Sequence, residues 1–484
     1  MKKTIVGRED EIKILNEVYE SSEPEFLAVY GRRRIGKTYL IHEFFKDKGL
    51  YFEITGMKDG TTSEQLFQFA YEFSRQFNQG KSIVPPKNWV EALNLLHQAI
   101  EKTDKNKKII LFFDELPWLA SPRSRFLNAL EHLWNRYLSK TKNIVMIVCG
   151  SSASWIIKNI INNKGGLHGR LTRKIRLLPF TLSETEQYLK ARHIELDRKQ
   201  IIDLYMAMGG VPKYLSYITR GKSAAQIINE VCFSLSGGLY QEFDNLYKSL
   251  FEGYENHIAI VKALSKCTQG LTKEELLEDT KLTSGGFSSK IIEELIDAGF
   301  LIYVPSFNKK KNSGVYRLID EYSYFYLTWI KDNSKISFES IDPEFWIKKY
   351  RTAKWATWSG LAFESVCFKH IQKIKKALGI SGVSSTESGW RYFSRKKGEQ
   401  GAQIDLVIDR ADKCINLCEM KYSDSEFLID KSYEENLQNK KRIFREETNT
   451  NKTLFTTLVT TYGVKKNQHY FSSVDHQLTM NDLF

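Results

Sequence analysis

Residues 26–45 read FLAVYGRRRIGKTYLIHEFF. FLAVY is a short apolar run of strand character, GRRRIGKT at 31–38 fits G-x-x-x-x-G-K-[ST], and YLIHEFF opens a helix. Strand, glycine-rich turn and helix in that order form a phosphate cradle. Backbone N–H groups of the turn and the positive end of the helix face the anion. Gly31 and Gly36 allow the tight path, and Arg32, Arg33, Arg34 and Ile35 fill the turn between them. Lys37 can reach the β- and γ-phosphates of ATP, and the Thr38 hydroxyl can ligate Mg2+. The alternative is a glycine turn joining unrelated elements.

Such a cradle needs a buried strand ending in acids. IILFFDE at 109–115 supplies one: Asp114 is expected in the Mg2+ shell and Glu115 as the group that polarises the attacking water. A third apolar run, NIVMIVCG at 143–150, ends at Ser151 and Ser152. A hydroxyl there can sense the γ-phosphate, with an ordinary Ser-rich turn as the competing account.

On these residues the N-terminal half resembles the archaeal-type AAA+ ATPases. The resemblance runs through VGREDEIKIL at 6–15, GRRRIGKT, FFDELPWL at 112–119, CGSSASW at 149–155 and GGVPKYL at 209–215. It implies that the first stretch lies near the adenine and the last in a helical lid over the nucleotide. Arg170, in HGRLTRKIRLLPFTLSE, matches a recurrent family arginine. It is expected as an arginine finger, within the chain or to a neighbouring subunit of a homo-oligomer, or else in a surface salt bridge.

The 484 residues suggest about three domains as a prior. A hydrophobic share of 42% and a charged share of 27% are those of a globular chain. No apolar run approaches membrane-span length, and MKKTIVGRED has no apolar signal core, so no membrane partner is expected. Six cysteines, none in a CxxC pair or with zinc spacing, point to a reducing cytoplasm. A net charge of +13 is compatible with nucleic acid as partner or with a solvated lysine-rich surface.

Residues 257–320 read as three helices and two strands joined by the turn NKKKNSG, the plan of a winged helix-turn-helix. Thr272 is a plausible N-cap with Glu275 three residues on. For DNA contact the plan offers Ser284, Ser288, Ser289 and Lys290 on the third helix and Lys309, Lys310 and Lys311 on the wing. The other reading is a module packed between domains.

Beyond the expected linker SKISFESIDPEFW at 334–346, the order is helix (about 357–378), strands WRYF, IDLVID and INLCEMK, the basic helix KSYEENLQNKKRIFREE, and the strand TLFTTLVTT. Alternation puts Glu419 and Lys421 on one face of their strand. Pairing IDLVID with INLCEMK sets Asp405 beside Glu419, and two close carboxylates call for a cation. Mg2+ suits them, with Glu364 on the preceding helix completing the shell and Lys421 orienting the attacking water, a site for metal-assisted phosphodiester hydrolysis.

This pattern resembles the PD-(D/E)xK, restriction-endonuclease-like superfamily, with Asp405, Glu419-Met420-Lys421 and the helix acid Glu364 at its positions and Ile404 in place of the usual proline. The resemblance implies a DNA-cleaving site using Mg2+ or Mn2+. A degenerate site, its acids salt-bridged to Lys421, is the alternative. Tyr433, Gln438 and Lys440 can contact phosphate or form a solvated helix face. The expected fold is α/β: a P-loop AAA+ ATPase core to about 180, a helical lid to about 250, a winged helix-turn-helix to about 335 and a restriction-endonuclease-like domain to 484. Against a nucleotide-gated nuclease stand two rivals, a nucleotide-switched regulator that cuts nothing and an ATPase acting on protein partners.

Overall fold

A computed structural model describes residues 5–104, 106–267, 269–307, 313–331, 342, 344–393 and 401–484. The chain packs as two compact units, Met1–Pro179 with Leu250–Glu252, and Phe180–Ser249 with Gly253–Phe484. Lys309, Lys310, Lys311 and most of the expected linker lie outside the described residues.

The first unit is built on strands β1 (Glu25–Tyr30), β2 (Leu50–Thr55), β3 (Ile109–Asp114), β4 (Ile144–Gly150) and β5 (Arg173–Arg176). Their order is β2-β3-β4-β1-β5, and every pair is parallel. β3 and β4 are buried along their whole length, as a parallel sheet covered on both faces requires. Alternate side chains feed two cores. Phe26 and Ala28 join Leu111, Phe113, Met146 and Val148 under the helices Thr62–Phe77, Trp89–Glu101 and Phe126–Arg136. Leu27 and Val29 join Phe112, Ile147 and Cys149 under Glu9–Glu20 and Lys37–Phe45. The register pairs Tyr30 with Gly150 and Thr55 with Asp114, so the residues after β1, β3 and β4 emerge at one end of the sheet. In an open parallel sheet that is where ligands bind.

The second unit begins with the helical region Leu182–Ala191, Arg198–Met208, Pro212–Leu215 and Ala224–Phe233. Three further helices, Tyr254–Lys266, Lys273–Thr280 and Gly286–Asp297, precede the antiparallel hairpin β6 (Leu301–Pro305) and β7 (Gly314–Leu318). The capping box forms: Thr272 Oγ1 accepts from the Glu275 N–H, and Glu275 accepts from the Thr272 N–H, worth about 1 kcal/mol.

The unit ends in a mixed sheet of order β12-β11-β10-β9-β8, made of β8 (Ser385–Tyr392), β9 (Ala402–Arg410), β10 (Cys414–Lys421), β11 (Thr453–Thr460) and β12 (His476–Leu478). β8, β9 and β10 pair antiparallel, while β10, β11 and β12 run parallel. The helix expected over 357–378 is two helices, Ala353–Lys369 and Ile371–Ala377, broken at His370. That imidazole leaves the helix pattern for a task elsewhere: its Nε2 accepts the N–H of Leu182, 2.9 Å away, and its Nδ1 donates to Val366 O at 2.7 Å. Four cysteines are buried, and Cys267 and Cys414 are partly so; none is bonded to another. Among the described residues no helix is long and apolar enough to cross a membrane.

Candidate functional site

The cradle forms as its glycines demand. Gly31 has φ +144°, and a Cβ there would lie 2.3 Å from Leu177 O and 2.7 Å from Ile35 Cδ1. Gly36, at φ +90°, immediately precedes the helix Lys37–Phe45; a side chain would have room there, but L residues avoid that φ. Arg34 also takes a left-handed φ, +72°. Arg32 is buried, and the Arg33 guanidinium lies 5.4 Å from the centre of the Trp118 ring. The turn is braced from outside by Arg8, whose Nη2 donates to Ile35 O at 3.2 Å. The sequence reading placed Arg8 only within a stretch near the adenine.

The polar residues at this end of the sheet form an open circuit of hydrogen bonds, with Lys37 bonded apart from the rest. Lys37 Nζ donates to Arg32 O at 2.9 Å. Thr38 Oγ1 donates to Asp114 Oδ2 at 2.7 Å, and Asp114 Oδ1 accepts from the Glu115 N–H at 2.9 Å. Glu115, itself at φ +45°, accepts from both the Ser151 N–H (3.1 Å) and Ser151 Oγ (2.8 Å) on Oε2. Of the two serines after β4, Ser151 is therefore the one joined to the site. The hydroxyl of Thr38 and the carboxylate of Asp114 are hard oxygen donors already in contact, a pair that fits Mg2+. Arg170 is exposed and makes no ion pair among the described residues, so the surface salt bridge is absent.

A second set of charges gathers on the C-terminal sheet. The pairing of Cys418 with Leu406 carries Asp405 next to Glu419 on the adjoining strand. Asp405 Oδ2 accepts the Met420 N–H at 3.0 Å. Glu419 is buried at 3% exposure; its Oε2 takes Lys440 Nζ at 2.7 Å and Lys421 Nζ at 3.7 Å, and its Oε1 has no hydrogen-bond partner. Burial, and then the Asp405 charge, push the Glu419 carboxyl up to about 7 against the pull of Lys440 and Lys421. Glu364, on the helix Ala353–Lys369, is likewise raised to about 7 by burial and by Asp405.

The three-carboxylate shell expected from Glu364, Asp405 and Glu419 is not assembled. Glu364 Oε2 is held at 3.2 Å by Arg317 Nη2, from β7, and among the described residues no group of three or more His, Cys, Asp or Glu is disposed to hold a metal ion. Asp405 and Glu419 fit a cation on their own terms: two close carboxylates, one with an orphaned buried oxygen. Lys440 is not on a solvated face, because Glu419 draws it inward. Gln438 is, bonding Glu434 on its own helix. The Tyr433 hydroxyl is buried without a partner, and Lys421 Nζ sits 5.8 Å from its ring centre.

Of the residues expected to face DNA, Ser288 is fully buried, its hydroxyl bonded to Gly285 O, and is removed from any contact role. Ser289 accepts from Lys273 Nζ at 2.7 Å, Lys290 pairs with Glu294, and Ser284 is exposed. Arg317 went unnoticed: VYRLID marks it only as one polar residue in a strand, and nothing local points to a carboxylate 47 positions away.

Comparison with known proteins agrees with the geometry of the first unit. Residues 5–218 match a family described as "ATPase domain predominantly from Archaea". An uncharacterized protein of Methanocaldococcus jannaschii is 25% identical over 433 residues, covering 87% of this chain and 88% of that one. The structure of a Walker-type ATPase of Pyrococcus abyssi superposes with a TM-score of 0.50 at 17% identity, over 67% of this chain and 96% of that one, a likeness of fold. Residues 5–218 are thus similar to an archaeal-type ATPase domain, and the parallel sheet shares its fold with a Walker-type ATPase.

Proposed function

Taking the ATPase domain as the premise, we propose that the chain couples ATP turnover to metal-dependent hydrolysis of nucleic-acid phosphodiesters on its C-terminal sheet. The four-part division, ATPase core, lid, winged helix and restriction-endonuclease-like domain, belongs to the same reading. So do Arg170 as an arginine finger, a homo-oligomer built through it, and DNA as the nucleic acid.

In the nucleotide site Lys37 serves the phosphates, Thr38 and Asp114 hold Mg2+, and Glu115 orients water once it turns from Ser151 toward the γ-phosphate. On the sheet, Asp405 and Glu419 hold Mg2+ or Mn2+. A metal there supplies charge to the phosphoryl oxygens and lowers the pKa of a water. Lys421, on the same face as Glu419, would orient the attacking water, whose oxygen would bond phosphorus as the ester P–O bond breaks and whose proton would pass to the departing oxygen. The observation that carries the reading is the buried Glu419 carboxylate, one oxygen unpartnered, beside Asp405. Burying two acids in contact is costly, and a divalent cation offsets that cost.

The balance of charge favours a second reading. Glu364, Asp405 and Glu419 are already faced by Arg317, Lys421 and Lys440, as a cleavage-inactive binding module would have it. Incubating the chain with supercoiled, linear and single-stranded DNA and Mg2+ or Mn2+, with and without ATP, separates the two. Cutting that Asp405→Ala and Glu419→Ala both abolish supports the nuclease. An inert wild type that still hydrolyses ATP makes it a nucleotide-switched regulator.

A further inference from the structure

β7 brings one residue to the charged site from outside the C-terminal sheet. Arg317 is buried, 7% exposed, with its guanidinium carbon 4.4 Å from the centre of the Phe368 ring and Nη2 on Glu364. The contact between hairpin and sheet is built, not glancing. The Phe307 N–H, just past the end of β6, donates to Gly389 O within β8 at 3.4 Å, and Gln269 bonds Gln403. Between them runs a cleft of about 210 Å3 whose walls include Arg317, Trp390 and Gln403 and whose lining reaches Asp405.

We propose that Arg317 is an exchangeable plug: without nucleic acid it neutralises Glu364, and a strand entering this cleft draws the guanidinium onto a phosphate and releases Glu364 to a divalent cation. This rests on the metal reading of Asp405 and Glu419. Three features carry it. A guanidinium forks equally well onto carboxylate and phosphate, so Arg317 can change partners without losing hydrogen bonds. Glu364 is not left without a positive partner, because the arriving divalent cation takes the place of the departing arginine. The arginine also lines a cleft that reaches an acid of the site, so a phosphate bound there meets Arg317 and Asp405 together. Arg317 would then be a substrate-sensing positioning residue, and the cation site would complete itself only when a strand is in place.

The test is Mn2+ binding by titration calorimetry on the full chain, with melting curves as a folding control. In the absence of DNA, Arg317→Gln is expected to bind Mn2+ roughly tenfold more tightly than wild type, because the guanidinium no longer competes with the cation for Glu364. Adding Glu364→Gln to that variant cancels the gain, and the double variant carries no unpaired buried charge, so it also guards against misfolding. A short phosphorothioate DNA strand tightens Mn2+ binding to wild type and leaves Arg317→Gln unchanged. Mn2+ binding that depends on Asp405 and Glu419 but ignores Arg317 overturns the exchange and leaves the metal site standing. No Mn2+ binding that depends on Asp405 or Glu419, with or without the strand, overturns both.

Discussion

The Tyr422 hydroxyl donates to the carboxylate of Asp203, joining the residue after β10 to the helix Arg198–Met208 across 219 positions of chain. Asp203 is buried and also takes Lys199 at 3.2 Å and the Tyr350 hydroxyl at 3.1 Å. Lys199 reaches Asp424 at 2.9 Å and lies 4.9 Å from the Tyr422 ring centre. Burial raises the Asp203 carboxyl, and Lys199 and the two tyrosines oppose that. Tyr422→Phe removes one donor from a buried acid and should lower stability by about 1–3 kcal/mol, read as a fall in melting temperature. Lys199→Ala, which strips the buried acid of its cation, should cost more, about 3–5 kcal/mol. Equal effects would mean that the network shares its load differently from its distances.

The circuit at the nucleotide site predicts separable failures. Lys37→Ala should abolish ATP binding, measured with a fluorescent nucleotide. Glu115→Gln should bind ATP like wild type and lose turnover by roughly a hundredfold or more, the usual share of a positioned base. Loss of binding in Glu115→Gln would mean that the residue holds the turn together and does not act on water.

His370 sets a pH dependence. Its imidazole is pushed down to about 4 by burial, below the ordinary 6.5. The unfolded chain therefore takes up a proton that the folded chain refuses, and the stability His370 contributes above pH 6.5 is lost as pH falls from there toward 4. Between pH 8 and pH 5 this amounts to about 2 kcal/mol. His370→Gln keeps an acceptor for Leu182 and cannot titrate; its loss of stability over that interval should be smaller by that amount in urea melts.

Glu419 has the opposite sign. Its carboxyl is raised to about 7, so the folded chain holds a proton that the unfolded one has released, and stability falls as pH rises from about 4.5 to 7. Glu419→Gln should be more stable than wild type at pH 8 by about 3 kcal/mol and no more stable at pH 4. A destabilised Glu419→Gln at pH 8 would show that Lys440 and Lys421 more than compensate the burial.

The parts legible in sequence were those whose chemistry is local. GRRRIGKT needs its glycines within a few residues of Lys37 and Thr38, and β3 announces itself by apolar residues ending in Asp114. The pairing of Asp405 with Glu419 followed from two strands joined by a short turn. Illegible were contacts that only tertiary packing creates. Ser288 was offered to DNA because helix position does not say which face is covered. Lys440 reads only as a phosphate contact or part of a solvated helix face, because no local rule reveals Glu419 on the sheet beneath it. The break at His370 was missed for the same reason: the Leu182 N–H that its Nε2 receives comes from 188 residues away.

That bond bears on ancestry. The first turn of the helix Leu182–Ala191 takes a cap from a residue of the C-terminal region, and Asp203 takes one from Tyr422. A recombination event that grafted some other C-terminal module onto this chain would strip both partners at once, leaving the Leu182 N–H unpaired and Asp203 with Lys199 as its remaining donor from its own helix. Such hybrids would start life poorly folded. The helices Leu182–Ala191 and Arg198–Met208 and the C-terminal sheet are thus expected to be inherited together.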